Sequence, residues 1–182
     1  MSWLRWTAAV LLFGWLGQYP LAMLVPSLVM EGLYNKIVER TGYNQLNVNK
    51  RPDETSRWVV RPSPDLLYAS CVYNLEKGPV TISAPVPERY WSMQFYQMNT
   101  DNFAGFSNQR EQRFRVGTRL EVTLVGPDAN PSEYPGEVIQ SPTNRGVMLL
   151  RASGIGDDSG SQAALDGSSC TGKKHLPNES QT

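Results

Sequence analysis

The chain has 182 residues, 17 basic and 17 acidic, so it has room for one domain plus appendages and no charge excess to attract nucleic acid or concentrate cations. One histidine, His175, and two cysteines, Cys71 and Cys170, exclude most zinc sites, which need about four nitrogen or sulfur ligands at close spacing. No run resembles an EF-hand loop, so neither a metal site nor a cofactor is expected.

The first predicted element is apolar. Residues 6–29 carry no charge, and a run of about 24 residues is long enough to cross a hydrocarbon core of roughly 30 Å. Trp3, Trp6 and Tyr34 stand at its ends, where amphipathic rings favour the headgroup level. Pro20 removes a backbone donor and predicts a kink. Gln18, about half a turn earlier, predicts contact with a second helix, because a polar side chain in lipid seeks a partner. No small-x-small cleavage site follows the apolar part. The helical pattern instead continues, with Leu33 and Ile37, and Tyr34 and Val38, paired four residues apart. Residues 1–40 therefore read as an uncleaved anchor with a juxtamembrane extension, rather than as a signal peptide. Flanking charge does not orient it: Arg5 lies on one side, Lys36 and Arg40 on the other.

Residues 41–56 are polar and read as a linker. A β-domain is expected over 57–152, opened by a short strand at 57–61. Residues 65–75, 80–85 and 90–98 then alternate, each run closed by Gly or Pro, which signals successive antiparallel strands. Leu67, Ala69, Cys71, Tyr73 and Leu75 share one face; Trp91, Met93 and Phe95 share another. Tyr90, Ser92, Gln94 and Tyr96 point the opposite way. Residues 99–108 carry a turn or loop signature, with Phe103 and Phe106 as packing residues; 119–125 alternate again, 126–136 form a loop, and 137–140 and 146–152 complete the set. Val147, Met148, Leu149 and Leu150 are apolar on both faces, which predicts a central strand. Seven or eight short strands make a mainly β fold, a small antiparallel sandwich or partly open barrel. From residue 153 to 182 the chain is rich in Gly and Ser and reads as a flexible tail, with at most one helical turn at Ala163, Ala164 and Leu165.

The two cysteines admit two readings. One is a disulfide tying the tail to the second strand in an oxidising compartment; the other is a buried small hydrophobe and an unrelated thiol. Catalytic machinery is not expected. Ser70 and Ser92 lie on strands, no Gly-x-Ser-x-Gly occurs, and His175 sits in the polar tail beside Lys173 and Lys174. Glu88, Asp101, Asp157 and Asp158 read as solvated turn acids, while Asp65 reads as an acceptor of backbone N–H groups at a strand start. Gly154-Ile155-Gly156 is a turn, and Asn178-Glu179-Ser180 fits a glycosylation acceptor.

Several runs carry a resemblance. Arg61-Pro-Ser-Pro-Asp65-Leu-Leu-Tyr68-Ala-Ser70 is followed by Asn74-Leu-Glu-Lys-Gly78-Pro79-Val80, by Pro87-Glu-Arg89-Tyr90-Trp91 and by Asn99-Thr-Asp-Asn102-Phe103. With Ser141-Pro142-Thr143-Asn144 before a hydrophobic strand, these resemble the bacterial DUF1254 family over about residues 57–152. The resemblance implies a β-sandwich-like domain. It points to short, membrane-anchored members in which one helix precedes the domain, a late Cys can follow it and the companion DUF1214 domain of longer members is absent. The Pro62-Ser63-Pro64 departure puts any ligand role of Asp65 in question, and no catalytic residue carries over.

The expected function is that of a non-catalytic accessory subunit of a larger membrane complex of respiratory or photosynthetic type, with its domain in the periplasm and its anchor in the bacterial inner membrane. Its partners would be other integral-membrane subunits and lipid, not nucleic acid. Gln18, Pro20, Tyr90, Gln94 and Tyr96 are the expected interface residues. The alternative is an envelope enzyme or ligand binder with Asp65, Arg89, Asn102 and Arg145 around a pocket.

Overall fold

The computed structural model describes residues 2–57, 62–109 and 115–172. The strand expected at 57–61, His175 and the Asn178 triplet lie wholly or mostly outside the described residues.

Helix α1 (Ser2–Thr41) runs continuously across Pro20 and Pro26, and at 1.5 Å per residue its 40 residues span about 60 Å. It is long and apolar enough to cross a membrane, and its apolar window is 0% buried against the rest of the chain. Its last turns behave differently. Met30, Tyr34 and Ile37 are buried, at the i, i+4 and i+7 spacing that puts them on one face.

Two sheets follow. The first contains β1 (Gln45–Val48), β2 (Leu66–Asn74), β4 (Trp91–Gln97), β5 (Asn102–Ser107) and β8 (Arg145–Ser153), in the order β1-β2-β8-β4-β5. The second contains β3 (Val80–Pro85), β6 (Arg119–Val125), β7 (Glu137–Gln140) and β9 (Ser169–Gly172), in the order β7-β6-β3-β9. Their inner faces share one core. Leu67, Ala69, Tyr73, Trp91, Phe95, Met148 and Leu150 from the first sheet meet Val80, Ile82, Val122, Leu124 and Ile139 from the second. The residues expected to share a face on β2, β3, β4 and β6 therefore line the core together, although β3 is buried on both faces, and β8 occupies the expected central place.

The structure departs from the sequence expectation in four places. Residues 102–107, inside the stretch read as a loop, form β5 and pair antiparallel with β4. β7 pairs parallel to β6, so the second sheet is mixed. The connection through residues 126–136, with a 3-10 turn at Pro131–Glu133, returns the chain before it pairs, and a parallel neighbour needs such a crossover. The supposed linker carries β1, whose entry is set by Asn44 at φ 58. Asparagine tolerates that left-handed conformation, and here its side chain exchanges two hydrogen bonds with the Asn74 backbone: Nδ2 donates to the carbonyl at 2.9 Å and Oδ1 accepts from the amide at 2.8 Å. The first part of the supposed flexible tail is integral to the domain. Helix α2 (Ser159–Asp166) buries Ala164 and Leu165, and β9 pairs antiparallel with β3.

Cys71 and Cys170 form a disulfide with Cα atoms 6.4 Å apart. It joins β2 to β9, and so one sheet to the other, rather than anchoring a loose tail.

Candidate functional site

Alternation along β2 sends Leu67, Ala69 and Cys71 inward, and therefore Tyr68, Ser70 and Val72 outward. Pairing aligns Val72 with Val147 and Ser70 with Leu149 on β8, and Tyr96 of β4 with Val147. These outward residues make a second, smaller apolar surface. Met30, Tyr34 and Ile37 of α1 pack there against Val72 and Val147, with Leu33, Val38, Tyr96 and Met98 around them.

Polar contacts fix the junction. The Tyr34 hydroxyl donates to the Tyr73 carbonyl at 3.3 Å. Arg145 donates to Glu31 Oε1 at 3.0 Å, and its guanidinium lies 5.5 Å from the centroid of the Tyr34 ring. Below it, the Tyr73 hydroxyl donates to the Tyr96 carbonyl at 3.2 Å and lies 3.3 Å from Ser141 Oγ. Burial pushes the Tyr73 pKa up to about 12, and the Ser141 hydrogen bond only partly opposes it. Gly146 is required here. A Cβ at that position would collide with the Tyr73 hydroxyl and the Tyr96 carbonyl.

Beside the junction the helix does not cover the sheet completely. A groove of about 530 Å³ remains, within the range of roughly 300–1,000 Å³ typical of small-molecule sites. Val29, Met30, Leu33 and Ile37 line it from α1, and Tyr68, Ser70, Tyr96, Val147 and Leu149 line it from the sheet. Residues after β1 close a third side, among them Asn49, Lys50 and Pro52. That strap is tied down. The Asn49 amide donates to the Tyr68 carbonyl at 2.9 Å, and Arg51 pairs with Asp158 at 2.8 Å. Asp53 anchors its turn through Thr55 and Ser56, whose hydrogen bonds hold the carboxyl below the usual range. Among the described residues, Lys50 is the only charged one lining the groove. The Ser70 hydroxyl is buried and has no hydrogen-bond partner among the described residues.

The residues singled out from sequence do not gather at this groove, apart from Tyr96. Gln18 and Pro20 are exposed on α1. The Tyr90 hydroxyl lies 2.9 Å from Ser92 Oγ, and Gln94 accepts from Asn102 at 3.0 Å across the β4–β5 pair. Tyr96 contacts the chain's own helix. Asp65 and Arg89 sit together at one end of the first sheet. The Asp65 carbonyl accepts from the Gly154 amide at 2.7 Å, and Arg89 donates to the Ile155 carbonyl. It is the backbone of Asp65, not its carboxylate, that makes the contact. Arg145 lies at the opposite end of β8, and Asn102 pairs with Tyr96 two strands away. None of these four lines the groove, or the smaller cavity of about 250 Å³ near Gly78, Pro79 and Asn144. The i,i+4 pairing on the helix extension, together with outward-facing Val72 and Val147, was the sequence signal for the junction. The groove itself had none, because it is a gap between elements distant in sequence.

Among the described residues, no cluster of three or more His, Cys, Asp or Glu side chains could hold a metal ion. The groove can seat an apolar group, and its described lining also carries Ser56, Tyr68, Tyr96 and Thr100 with their hydroxyls and the Lys50 cation.

The fold has known counterparts. The VPA0106 protein from Vibrio parahaemolyticus is similar with a TM-score of 0.56 and 15% identity, over 90% of this chain and 44% of that one. An uncharacterized protein from Burkholderia cenocepacia gives a TM-score of 0.45 and 14% identity, over 62% and 32%. The chain thus spans less than half the length of either. No curated protein matches it. A family model described as "Protein of unknown function (DUF1254)" matches residues 43–166, a span that takes in β1 at its start and α2 at its end, and the chain belongs to the DUF1254 family.

Proposed function

We propose that this protein is a non-catalytic, single-pass accessory subunit of a bacterial inner-membrane complex, its β-domain held on the periplasmic face. The observation that carries this reading is the junction. The end of α1 is packed into the first sheet by Met30, Tyr34 and Ile37, so helix and domain form one unit with no slack linker between them. A domain so mounted takes its position from the helix, which suits a part fixed within an assembly. The apolar helix and the disulfide suggest a domain outside the cytoplasm, where disulfides persist. Exposed Gln18, within the apolar span, would find its partner on a neighbouring helix.

Native gel electrophoresis of mild-detergent membrane extracts tests the reading. The expected result is migration with a larger complex; a lone species no heavier than the 20.4 kDa chain in its micelle rejects it. A second reading, a membrane-anchored ligand binder, is favoured by the groove beside the junction.

A further inference from the structure

We propose that the groove between α1 and the outer face of the first sheet holds an acyl chain of a bilayer phospholipid. This rests on the ligand-binding reading and on α1 being a membrane anchor, and it names the class of ligand.

Three observations support it. The groove is continuous with the surface that a bilayer would cover. Its helical wall begins at Val29, 56% exposed, and the next apolar residues down the helix, Leu28 and Val25, are 69% and 49% exposed. A lipid chain can therefore reach the groove along the helix without crossing water. The lining is apolar on both helix and sheet sides, as a hydrocarbon chain requires. Lys50 supplies one cation at the strap, and among the described residues no acidic side chain lines the groove to oppose a phosphate there.

A peptide fits less well. The floor is the face of a sheet whose central strands already pair on both sides, so it offers no free ladder of backbone donors and acceptors. A lipid chain needs none.

The test uses the full chain in vesicles of phosphatidylethanolamine and phosphatidylglycerol, with a phosphatidylglycerol probe carrying a diazirine near the end of one acyl chain. After irradiation, peptide mapping is expected to find adducts on β2 and β8 as well as on residues 6–29. Leu149→Trp fills the groove from a half-buried position outside the shared core. It is expected to lose the strand adducts and keep the helix adducts. Lys50→Glu, at an exposed site that should not affect folding, is expected to lower the ratio of strand to helix adducts. Adducts confined to the helix in the unsubstituted protein overturn the proposal, as does a ratio unchanged in both variants. Strand adducts that appear only after Trp58→Gly, Val59→Gly and Val60→Gly also overturn it, since the chain's own segment would then be the occupant. Absence of helix adducts instead rejects the anchor reading itself. The native-gel result is read without any lipid probe, so it stands or falls separately.

Discussion

At the junction, single residues are held so closely that small changes should be felt. Gly146 faces the Tyr73 hydroxyl and the Tyr96 carbonyl. One obstacle is backbone and the other a fully buried ring, so neither can swing aside. Gly146→Ala is expected to destabilise by about 2–3 kcal/mol or more, read as a lower Tm. At Gly105 a Cβ would also collide, but with the end of the Gln94 side chain, which can move, so Gly105→Ala should cost less. Tyr73 also predicts a pH dependence. Its pKa is raised from 10.0 to about 12 in the fold. The folded state therefore keeps a proton that the unfolded chain gives up, so this stabilisation is intact below pH 10 and is lost as pH rises toward about 12. The loss amounts to roughly 2–3 kcal/mol. Unfolding measured from pH 9 upward should show it, and Tyr73→Phe, though less stable at neutral pH, should flatten the slope. An unchanged slope in that variant would assign the effect elsewhere.

At the scale of elements, two links hold the molecule together by different means. The disulfide joins β2 to β9 across a sequence separation of 99. A loop of that length predicts stabilisation of about 4–5 kcal/mol in the chain-entropy model. Cys71→Ala with Cys170→Ala, or reduction, should lower the Tm by many degrees and release β9 and α2 to proteolysis first. The oxidised protein unfolded in denaturant should show no free thiol. The link between α1 and the sheet is non-covalent, and its parts are unequal. Arg145 and Glu31 are 42% and 43% exposed, so Arg145→Ala should cost about 1 kcal/mol or less. Tyr34 is 5% exposed and fills the interface; Tyr34→Ala should cost roughly 3 kcal/mol and open the chain near residue 42 to protease. Equal sensitivity in the two variants would show that the ion pair, rather than packing, holds the helix.

For the whole molecule, what matters is how an apolar rod and a β-sandwich are joined. About the first two-thirds of α1 is exposed and apolar, and only its last turns touch the domain. The arrangement places the groove, the Arg145–Glu31 pair and the strap around Lys50 on the side of the sandwich next to the helix. A bilayer around the helix would therefore lie close to that side. Cysteine substitutions that report this are expected to divide accordingly. In vesicles, a polar thiol reagent should label Asp128→Cys readily and Leu28→Cys poorly; equal labelling would mean that the helix is not immersed.

Much of this was legible in the residues alone, and where it was, the reason is local. A charge-free run of about 24 residues specifies an apolar helix whatever surrounds it. Strict alternation specifies which side of β2, β3, β4 and β6 faces the shared core, because a strand has only two faces. The doubly apolar stretch at Val147 to Leu150 had to be central, and the family could be recognised from short runs kept in order. What depended on distant partners could not be read in the same way. Gly and Ser from residue 153 onward looked unstructured, because nothing nearby reveals that Leu165 enters the core, although the two cysteines already offered the bridge that the structure forms. Residues 45–48 looked like linker until β2 supplied a neighbour. The parallel register of β7, the burial of Tyr96 under α1 and the groove beside it arise only when elements far apart in sequence meet. Local chemistry fixed what each segment would bury; tertiary packing decided against what, and where a gap was left.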